Sequence, residues 1–415
     1  MRSIVPSAAV LRQKYALVSA LRAQGFAIGS CEDGRPQPND LYLVTDGEVP
    51  PAPARTLIIG EGAPLAIPFS DGNPARLSYD STDSAIGAGF ASAMARGPHA
   101  PVAADPESLA LLALSERVAA SDITVLINGP TGTGKEVLAK AIHAASSRKD
   151  GPFIAINCAA LPETMLEAML FGHHKGAFTG ASSGGQGFFR AANGGTLLLD
   201  EIAEMPINLQ AKLLRALQER EVVPIGGTIP EKIDVRVIAC ANRDLHGEVE
   251  AGRFRADLYY RLSVFPLSTK ALCERPGDIP ALAAAMVLRH AGNRATLPWI
   301  SADAVEVLMD HQWPGNVREL ENVIQRALLM APGDTIDAEH LIFDRSTPRA
   351  VNDGPATLSN IVQIHEFQAI RETLAECNGS RIETARRLGI SERTLRYRLA
   401  KAREQGDELI QRVSA

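Results

Sequence analysis

One short segment restricts what this chain can fold into more than any other. It lies between an apolar run over residues 123–128 and a segment with helical periodicity over residues 136–145. Glycines in such a strand-to-helix turn let backbone N–H groups surround phosphate oxygens, and a lysine at the helix N-terminus reaches the terminal phosphates. The segment therefore predicts a nucleotide phosphate loop formed by Gly129, Pro130, Thr131, Gly132, Thr133, Gly134, Lys135 and Glu136. The alternative is a glycine-rich turn with a solvated lysine, which the flanking strand and helix disfavour.

The pattern around this loop predicts an α/β fold. Apolar, strand-like runs at residues 153–157, 196–200 and 235–240 alternate with amphipathic helical segments such as residues 209–219. Alternation of this kind is typical of a mostly parallel sheet covered by helices. From residue 280 to residue 341 the pattern becomes all-helical, which predicts a smaller helical unit appended to the sheet.

Acidic and amide side chains follow two of these runs. Asp200 can hold a magnesium ion, directly or through water, and Glu201 can polarise the attacking water. Glu136 stands where a phosphate loop usually has a Ser or Thr, so magnesium must be held mainly from elsewhere. Asn242, after the next strand, is a candidate sensor of the γ-phosphate. Solvated strand ends are the alternative for these residues, and the nearby phosphate loop favours the catalytic interpretation.

Three arginines are candidates to complete the site. Arg255 and Arg261 lie six residues apart and could stabilise the negative charge of the transition state; surface ion pairs are the alternative. The sequence of residues 313–320 predicts a turn followed by a capped helix, with Asn316 as N-cap and Glu319 three residues later. Arg318 then lies in the first helical turn, where the helix dipole disfavours a cation. An ATP phosphate is the partner that this position predicts.

The hexapeptide Gly-Ala-Phe-Thr-Gly-Ala at residues 176–181 is the most specific motif of the chain. It resembles the signature of bacterial enhancer-binding proteins, the AAA+ activators of RNA polymerase that carries the sigma-54 factor. The resemblance extends over residues 102–343 and implies an AAA+ P-loop sheet with a helical lid. It also implies a loop that contacts the sigma factor, formed by Gly176, Ala177, Phe178, Thr179, Gly180 and Ala181.

The resemblance implies a role for each matching residue. Lys135, Asp200 and Glu201 would bind and hydrolyse Mg-ATP. Asn157 would restrain Glu201, and Asn242 would sense the γ-phosphate. Arg255 and Arg261 would reach into the nucleotide site of the neighbouring subunit, and Arg318 would be the sensor residue of the lid. The partners implied are the sigma-54 holoenzyme, enhancer DNA, and further copies of the chain, as a dimer that assembles into a hexameric ring. The chain departs from the family pattern at Pro130, Thr131, Met169, His174, Ala241 and residues 269–273, and none of these changes removes a catalytic group.

The C-terminal end predicts a DNA-binding domain. Residues 381–403 hold eight basic and two acidic residues, on a chain whose net charge is −6. An amphipathic helix over residues 358–377 precedes a short helix, a turn at Gly389 and a second helix capped by Ser391. This second helix would present Arg393, Thr394, Arg396, Tyr397 and Arg398 to a major groove. The segment resembles a Fis-type helix-turn-helix, which implies dimers; a solvated basic hairpin is the alternative.

The first hundred residues are less informative. A helix over residues 7–24 and strands at 26–29, 41–45 and 56–59 predict a small α/β domain. The strand before Asp46 resembles the phosphoacceptor strand of a receiver domain. However, residues 1–10 contain no acidic residue where a receiver needs a magnesium-binding pair. A degenerate, phosphorylation-independent regulatory domain is therefore favoured, and phosphorylation of Asp46 stays the open alternative.

These segments predict five parts: a regulatory domain (1–95), an α/β ATPase subdomain (101–272), a helical lid (273–343), a linker (344–357) and the helix-turn-helix (358–405). The chain lacks a signal peptide, a transmembrane run and any C-x-x-C pair, which predicts a cytoplasmic protein. The function predicted is sigma-54-dependent activation of transcription, with a central domain similar to that of flagellar regulators. Two rivals are an AAA+ unfoldase or helicase loader, and a repressor with a vestigial ATPase.

Overall fold

The computed structural model describes residues 3–30, 40–97, 100–177, 183–292 and 294–343, together with Thr373, Ser380, Thr384, Ala385 and Arg387. The chain divides into two compact units, residues 1–344 and 345–415. The predicted linker and nearly all of the predicted helix-turn-helix lie outside the described residues. In the part of the chain that is described, no helix has both the length and the apolar character needed to span a bilayer.

A six-stranded sheet forms the N-terminal part, in the order β2-β1-β3-β4-β6-β5. Neighbouring strands are parallel except for the antiparallel pair β5–β6. The elements in chain order are β1 (Ser3–Pro6), α1 (Ala8–Gln13), α2 (Tyr15–Ala23), β2 (Ala27–Ile28), β3 (Asp40–Thr45), β4 (Thr56–Gly60), β5 (Leu65–Ile67), β6 (Ala75–Ser78) and α3 (Ser84–Arg96).

The single helix predicted for residues 7–24 is wrong, because the chain forms two helices there. Lys14 separates α1 from α2 with φ −125° and ψ 36°, which is outside the helical region. Ser7 caps α1, since its hydroxyl oxygen accepts from Val10 N at 3.2 Å. The sequence reading also missed β1, β5, β6 and α3. Helix α3 contains Gly87 and Gly89, which lower its intrinsic helix propensity.

Asp46 directly follows β3, as the sequence indicated. The carboxylate that joins the neighbouring strand ends is instead Glu48. It accepts from Thr45 N and Ser7 Oγ, both at 2.7 Å, and so links the end of β3 to the segment after β1. The interpretation of residues 1–95 as a phosphorylation-independent regulatory domain stays a prediction.

The central sheet has five parallel strands in the order β13-β7-β12-β9-β8. Its middle strands β7, β12 and β9 are almost fully buried, as a sheet with helices on both faces requires. The α/β prediction is thereby confirmed. The elements are α4 (Pro106–Ala119), β7 (Val125–Asn128), α5 (Lys135–Ala144), β8 (Phe153–Asn157), α6 (Glu163–Phe171), α7 (Phe188–Ala191), β9 (Thr196–Asp200), α8 (Ile207–Glu219), β10 (Glu221–Val222), β11 (Glu231–Lys232), β12 (Arg236–Ala241), α9 (Leu245–Glu250), α10 (Ala256–Leu262) and β13 (Phe265–Ser268).

Three helices dominate residues 279–341, but the all-helical prediction for this region is wrong in one respect. Two short parallel strands pair within it, and Trp299 is aligned with Thr335. The elements are α11 (Ile279–His290), β14 (Trp299–Ile300), α12 (Ala302–Asp310), α13 (Asn316–Met330) and β15 (Thr335–Ile336). We call residues 273–343 the lid.

The N-terminal sheet and the lid share one hydrophobic core. The Phe90 ring of α3 is fully buried and stacks on Trp299 of the lid, with ring centroids 5.1 Å apart. A backbone hydrogen bond from Leu297 N to Ala66 O, 2.8 Å long, joins the two parts beside these rings. Continuous apolar packing of this kind favours movement of the two parts together.

A buried carboxylate joins the segment at the start of α4 to the start of α11. Asp278, immediately before α11, is 0% exposed and accepts from Ala104 N at 2.7 Å and from Asp105 N at 2.8 Å. Ser108 Oγ donates to its second oxygen at 2.5 Å, and Arg275 Nη1 lies 3.3 Å from that oxygen.

We expect Asp278→Ala to lower the free energy of unfolding by about 3–5 kcal/mol, because it leaves Arg275 buried without its counter-charge. Chemical denaturation followed by circular dichroism measures this change. Glu306→Ala, at an exposed position of α12, is the control and should stay within about 0.5 kcal/mol of wild type. Equal stability of the two variants would contradict the role given to Asp278.

Candidate functional site

The phosphate loop joins β7 to α5, as predicted, and its glycines are required by close contacts. Gly129 has φ 149° and Gly132 has φ 79°, a region that side chains disfavour. A Cβ on Gly129 would lie 2.1 Å from Thr269 Oγ1, and one on Gly132 would lie 2.4 Å from Gly315 O. Both positions therefore need glycine for conformation and for space.

Lys135 begins α5 and its side chain returns over the loop. Its ammonium donates to Gly129 O at 2.7 Å and to Pro130 O at 2.9 Å, and the residue is only 8% exposed. Burial lowers the pKa of Lys135, and the nearby carboxylates of Asp200 and Glu201 partly offset this effect. The lysine thus lies in a recess shared with both predicted catalytic acids.

The two acids differ in their environment. Burial raises the pKa of Asp200 above its ordinary value, although Glu201 N donates to its Oδ1 at 3.0 Å. Glu201 adopts a left-handed backbone conformation, with φ 53° and ψ 45°. In a residue other than glycine this conformation costs about 1–3 kcal/mol and is often found at functional sites.

Arg318 lies on the same cleft as Lys135, Asp200 and Glu201. The cleft has a volume of about 240 Å³. A smaller apolar pocket of about 150 Å³ adjoins it and shares the lining residues Gly134, Val137, Val317 and Glu321 with it. The cleft and the pocket together form a site with a charged end and an apolar end, which match the phosphates and the base of a nucleotide.

The lid helix α13 reaches the phosphate loop through its first residues. The Asn316 side-chain amide donates to Thr131 O at 2.9 Å, and its oxygen accepts from Leu272 N at 2.8 Å. Val317 N donates to Gly132 O at 3.0 Å. These bonds fix the first turn of α13, and hence Arg318, at the edge of the cleft.

The prediction that Asn316 is the N-cap of this helix is wrong. The helix begins at Asn316, which has φ 54°, and the cap position belongs to Gly315. Glu319 Oε2 accepts from Gly315 N at 2.7 Å, four residues earlier, and not from Asn316 N as the predicted capping box requires. Asn316 bonds to the phosphate loop instead because its left-handed conformation turns its side chain away from its own helix.

The two predicted asparagines lie at the carboxyl ends of β8 and β12, the strands on either side of β9. Asn157 is paired with Asp200 across β8 and β9, and its side-chain oxygen accepts from Ala159 N at 2.8 Å. In the described part of the chain, no hydrogen bond joins Asn157 to Glu201. Asn242 follows β12, and its buried Oδ1 has no hydrogen-bond partner among the described residues, so it can accept a hydrogen bond from a ligand or water.

Arg255 and Arg261 are not among the residues that line this cleft. Arg255 occupies the position before α10 and forms a bidentate pair with Asp257, at 3.0 and 2.7 Å. Arg261 Nη2 donates to Leu217 O at 2.9 Å. The structure therefore places both arginines away from the phosphate loop of their own chain.

Backbone hydrogen bonds hold the two ends of the loop that carries the hexapeptide. His173 and Gly185 exchange backbone hydrogen bonds of 3.0 and 2.9 Å across it. On the other side, His174 N donates to Ile225 O at 3.0 Å and Ile225 N donates to Gly172 O at 2.9 Å. The described residues of the hexapeptide are Gly176 and Ala177; Phe178, Thr179, Gly180 and Ala181 lie outside the described residues.

Comparison with known families agrees with this geometry. The family model for the Sigma-54 interaction domain matches residues 102–268, that for the AAA+ ATPase lid domain matches residues 273–355, and that for the Fis family of bacterial regulatory proteins matches residues 363–401. Response regulator protein FleR of Pseudomonas aeruginosa is 50% identical over 335 residues, which cover 74% of this chain and 71% of FleR. The chain belongs to the sigma-54-dependent transcriptional activators.

Two further comparisons extend this result. Transcriptional regulatory protein FlbD of Caulobacter vibrioides is 44% identical to the activator over 322 residues, 74% of this chain and 70% of FlbD. The crystal structure of NtrX from Brucella abortus in complex with ADP matches with a TM-score of 0.58 at 25% identity, over 97% of this chain and 99% of that one. The prediction of an ATPase-containing transcriptional activator is thus confirmed.

Sequence reasoning missed two features of the activator's site. Arg275, which is 9% exposed, donates to Thr133 O of the phosphate loop at 2.8 Å. The apolar pocket was also missed, because its lining is ordinary apolar residues from separate elements, among them Leu111, Leu112, Leu282 and Met286. No local motif distinguishes these positions, and only the folded chain brings them together.

The candidate DNA-contacting residues of the activator are not placed by the structure. Arg393, Thr394, Arg396, Tyr397 and Arg398 all lie outside the described residues. The Fis-family match covers residues 363–401 and includes all five. The activator therefore carries a Fis-type DNA-binding domain, while the role of each arginine stays a prediction.

We expect Asn316→Ala to lower the free energy of unfolding by about 2–4 kcal/mol, because it leaves Leu272 N and Thr131 O without partners. Asn316→Gly should recover about 1 kcal/mol, since glycine tolerates the left-handed conformation. Urea denaturation monitored by fluorescence measures both changes. Asn322→Ala, at an exposed position of the same helix, is the control; a matching loss there would contradict this role for Asn316.

Proposed function

We propose that this activator hydrolyses Mg-ATP at the cleft between the phosphate loop and the lid, and uses the cycle to remodel sigma-54 holoenzyme from an upstream DNA site. One observation carries the proposal: Lys135, Asp200, Glu201 and Arg318 line one cleft that continues into an apolar pocket. The NtrX structure that matches this chain was solved with ADP, a ligand with the same polar and apolar parts.

The residues fit a nucleotide well. The apolar pocket would take the base, and the cleft would take the phosphates against Lys135 and the N-terminus of α5. Magnesium, when bound, would neutralise phosphate charge, and Asp200 would be the carboxylate that holds it. A bound cation also favours the ionised form of Asp200, against the burial that raises its pKa.

The chemical step needs a base and an oriented water. Glu201 would accept the proton of the attacking water as oxygen bonds to the γ-phosphorus and the bond to the β-phosphate oxygen breaks. The Oδ1 of Asn242, which has no hydrogen-bond partner among the described residues, would accept a hydrogen bond from that water or its product. Arg318 would balance negative charge from the lid side, which couples lid position to the state of the γ-phosphate.

Arg255 and Arg261 would act on the site of a neighbouring subunit. Both lie away from their own phosphate loop, and Arg255 is exposed with Asp257 as its present partner. An arginine supplied from a second subunit stabilises transition-state charge only when subunits assemble. We therefore propose a dimer that assembles into a hexameric ring as the active form.

We expect a mixture of Arg255→Ala and Lys135→Ala proteins to recover ATP hydrolysis that neither variant shows alone. A mixed interface can pair an intact phosphate loop with an intact arginine. Phosphate release at increasing protein concentration measures this effect, and wild-type turnover per subunit should also rise with concentration. Turnover independent of concentration, together with no recovery in the mixture, would rule out the shared site.

The hexapeptide would be the part that contacts sigma-54. Its base is held by backbone hydrogen bonds on both sides, so a change near the nucleotide can alter the position of the loop without unfolding its attachment. Phe178 is a large apolar residue between glycines, and exposure of such a residue favours a contact role. The loop would then act as a two-state element biased by ATP.

We expect Thr179→Ala to retain ATP hydrolysis and ring assembly but to lose open-complex formation at a sigma-54 promoter. The substitution removes only a hydroxyl and a methyl group, far in sequence from the phosphate-binding residues. The measurement pairs the ATPase rate with open-complex formation by purified holoenzyme. Ser183→Ala, just beyond the hexapeptide, is the control and should remain active; full promoter activity of Thr179→Ala would refute the coupling role.

DNA binding by the C-terminal domain would keep the ring near its promoter. We propose the five parts predicted from sequence as the domain organisation, with Arg393, Thr394, Arg396, Tyr397 and Arg398 facing the major groove of enhancer DNA and residues 358–377 pairing two chains. The similarity of the central domain to that of flagellar regulators favours flagellar genes as the targets, and this stays a prediction.

A further inference from the structure

Helix α3 of the N-terminal sheet packs tightly against α11 of the lid, and a glycine sets the distance between them. A Cβ on Gly89 would lie 3.0 Å from Pro280 O, 3.1 Å from the Ala281 Cα and 3.1 Å from the Ala284 Cβ. Next to it, Phe90 is fully buried and stacks on Trp299. The backbones therefore approach so closely that this position has no free space for a larger side chain.

The opposite side of α11 lines the apolar pocket of the nucleotide site. Leu282, Ala285, Met286 and Arg289 contribute to that lining. At 100° per residue, Leu282, Met286 and Arg289 lie roughly 140–160° around the helix from Ala284, and Ala285 lies at the border between the two faces. One helix thus separates the N-terminal sheet from the proposed base pocket, so a displacement on one face moves the other.

The connecting chain strengthens this link. Residues 100–103, which follow α3 after a short gap in the described residues, also line the apolar pocket. The next two backbone N–H groups, of Ala104 and Asp105, donate to the buried Asp278 carboxylate at the start of α11. Arg275, three residues before Asp278, donates to Thr133 O of the phosphate loop.

We propose that α3 is a positioning element for adenine-nucleotide binding: its packing against α11 holds one wall of the base pocket in place. The proposal rests on the nucleotide site proposed above and adds a role for the N-terminal domain. Because coupling between two sites is reciprocal, nucleotide binding should in turn stabilise the docked position of α3. The domain would then influence the ATPase without a phosphoryl group.

Gly89→Val tests this role, since the branched side chain must push α11 toward the base pocket. We expect the KM for ATP and the Kd for ADP to rise at least about five-fold, with kcat changed less than about two-fold. Binding of inorganic pyrophosphate, which lacks a base, should be unchanged. Gly89→Ala should give a smaller rise. Ala85→Val, at an exposed position one turn earlier in α3, is the matched control and should behave as wild type.

The outcomes are distinct. An unchanged KM and Kd in folded Gly89→Val would overturn the inference, and so would equal weakening of ADP and pyrophosphate, which indicates a general loss of structure. If Gly89→Val does not fold, hydrogen exchange of wild-type α3 decides: saturating ADP should slow the exchange of its amides, and identical rates with and without ADP would overturn the inference. Failure of the wild-type protein to bind ADP would instead refute the proposed nucleotide site.

Discussion

Three consecutive backbone carbonyls of the phosphate loop accept hydrogen bonds from the lid, and much of the site depends on them. Asn316 donates to Thr131 O, Val317 N to Gly132 O, and Arg275 to Thr133 O. With its carbonyls engaged in this way, the loop and the lid fix each other's position. A nucleotide bound between them would contact both parts.

The residues that meet at the cleft could be predicted from sequence because their chemistry is concentrated in short motifs. The phosphate loop follows β7 and the Asp200–Glu201 pair lies at the end of β9, and parallel strands bring their carboxyl ends to one edge of the sheet. Arg275 and the apolar pocket could not be predicted in this way. Their function depends on contacts between residues far apart in sequence, and neither has a residue type unusual for its surroundings.

For the fold, too, local patterns could be predicted from sequence and features that depend on tertiary contacts could not. Strands with long apolar runs were predicted within two residues of their observed bounds, whereas α3 was missed because its glycines and alanines give weak helical periodicity. Those small residues are the ones that allow α3 to approach α11 closely. Asn316 was assigned as a cap from its residue type, but a left-handed backbone directs its side chain to the phosphate loop. In both cases the tertiary contact determined the role and the local pattern did not.

The stacked rings of Phe90 and Trp299 have a consequence for how this protein can be divided. A fragment that begins at residue 98 would lack Phe90 and the rest of α3. Trp299, which is 3% exposed in the full chain, and the adjoining face of α11 would then be exposed to water. Exposed contiguous apolar surface promotes self-association. An isolated ATPase domain of this activator would therefore tend to aggregate, and the N-terminal domain contributes to solubility as a covering for the lid.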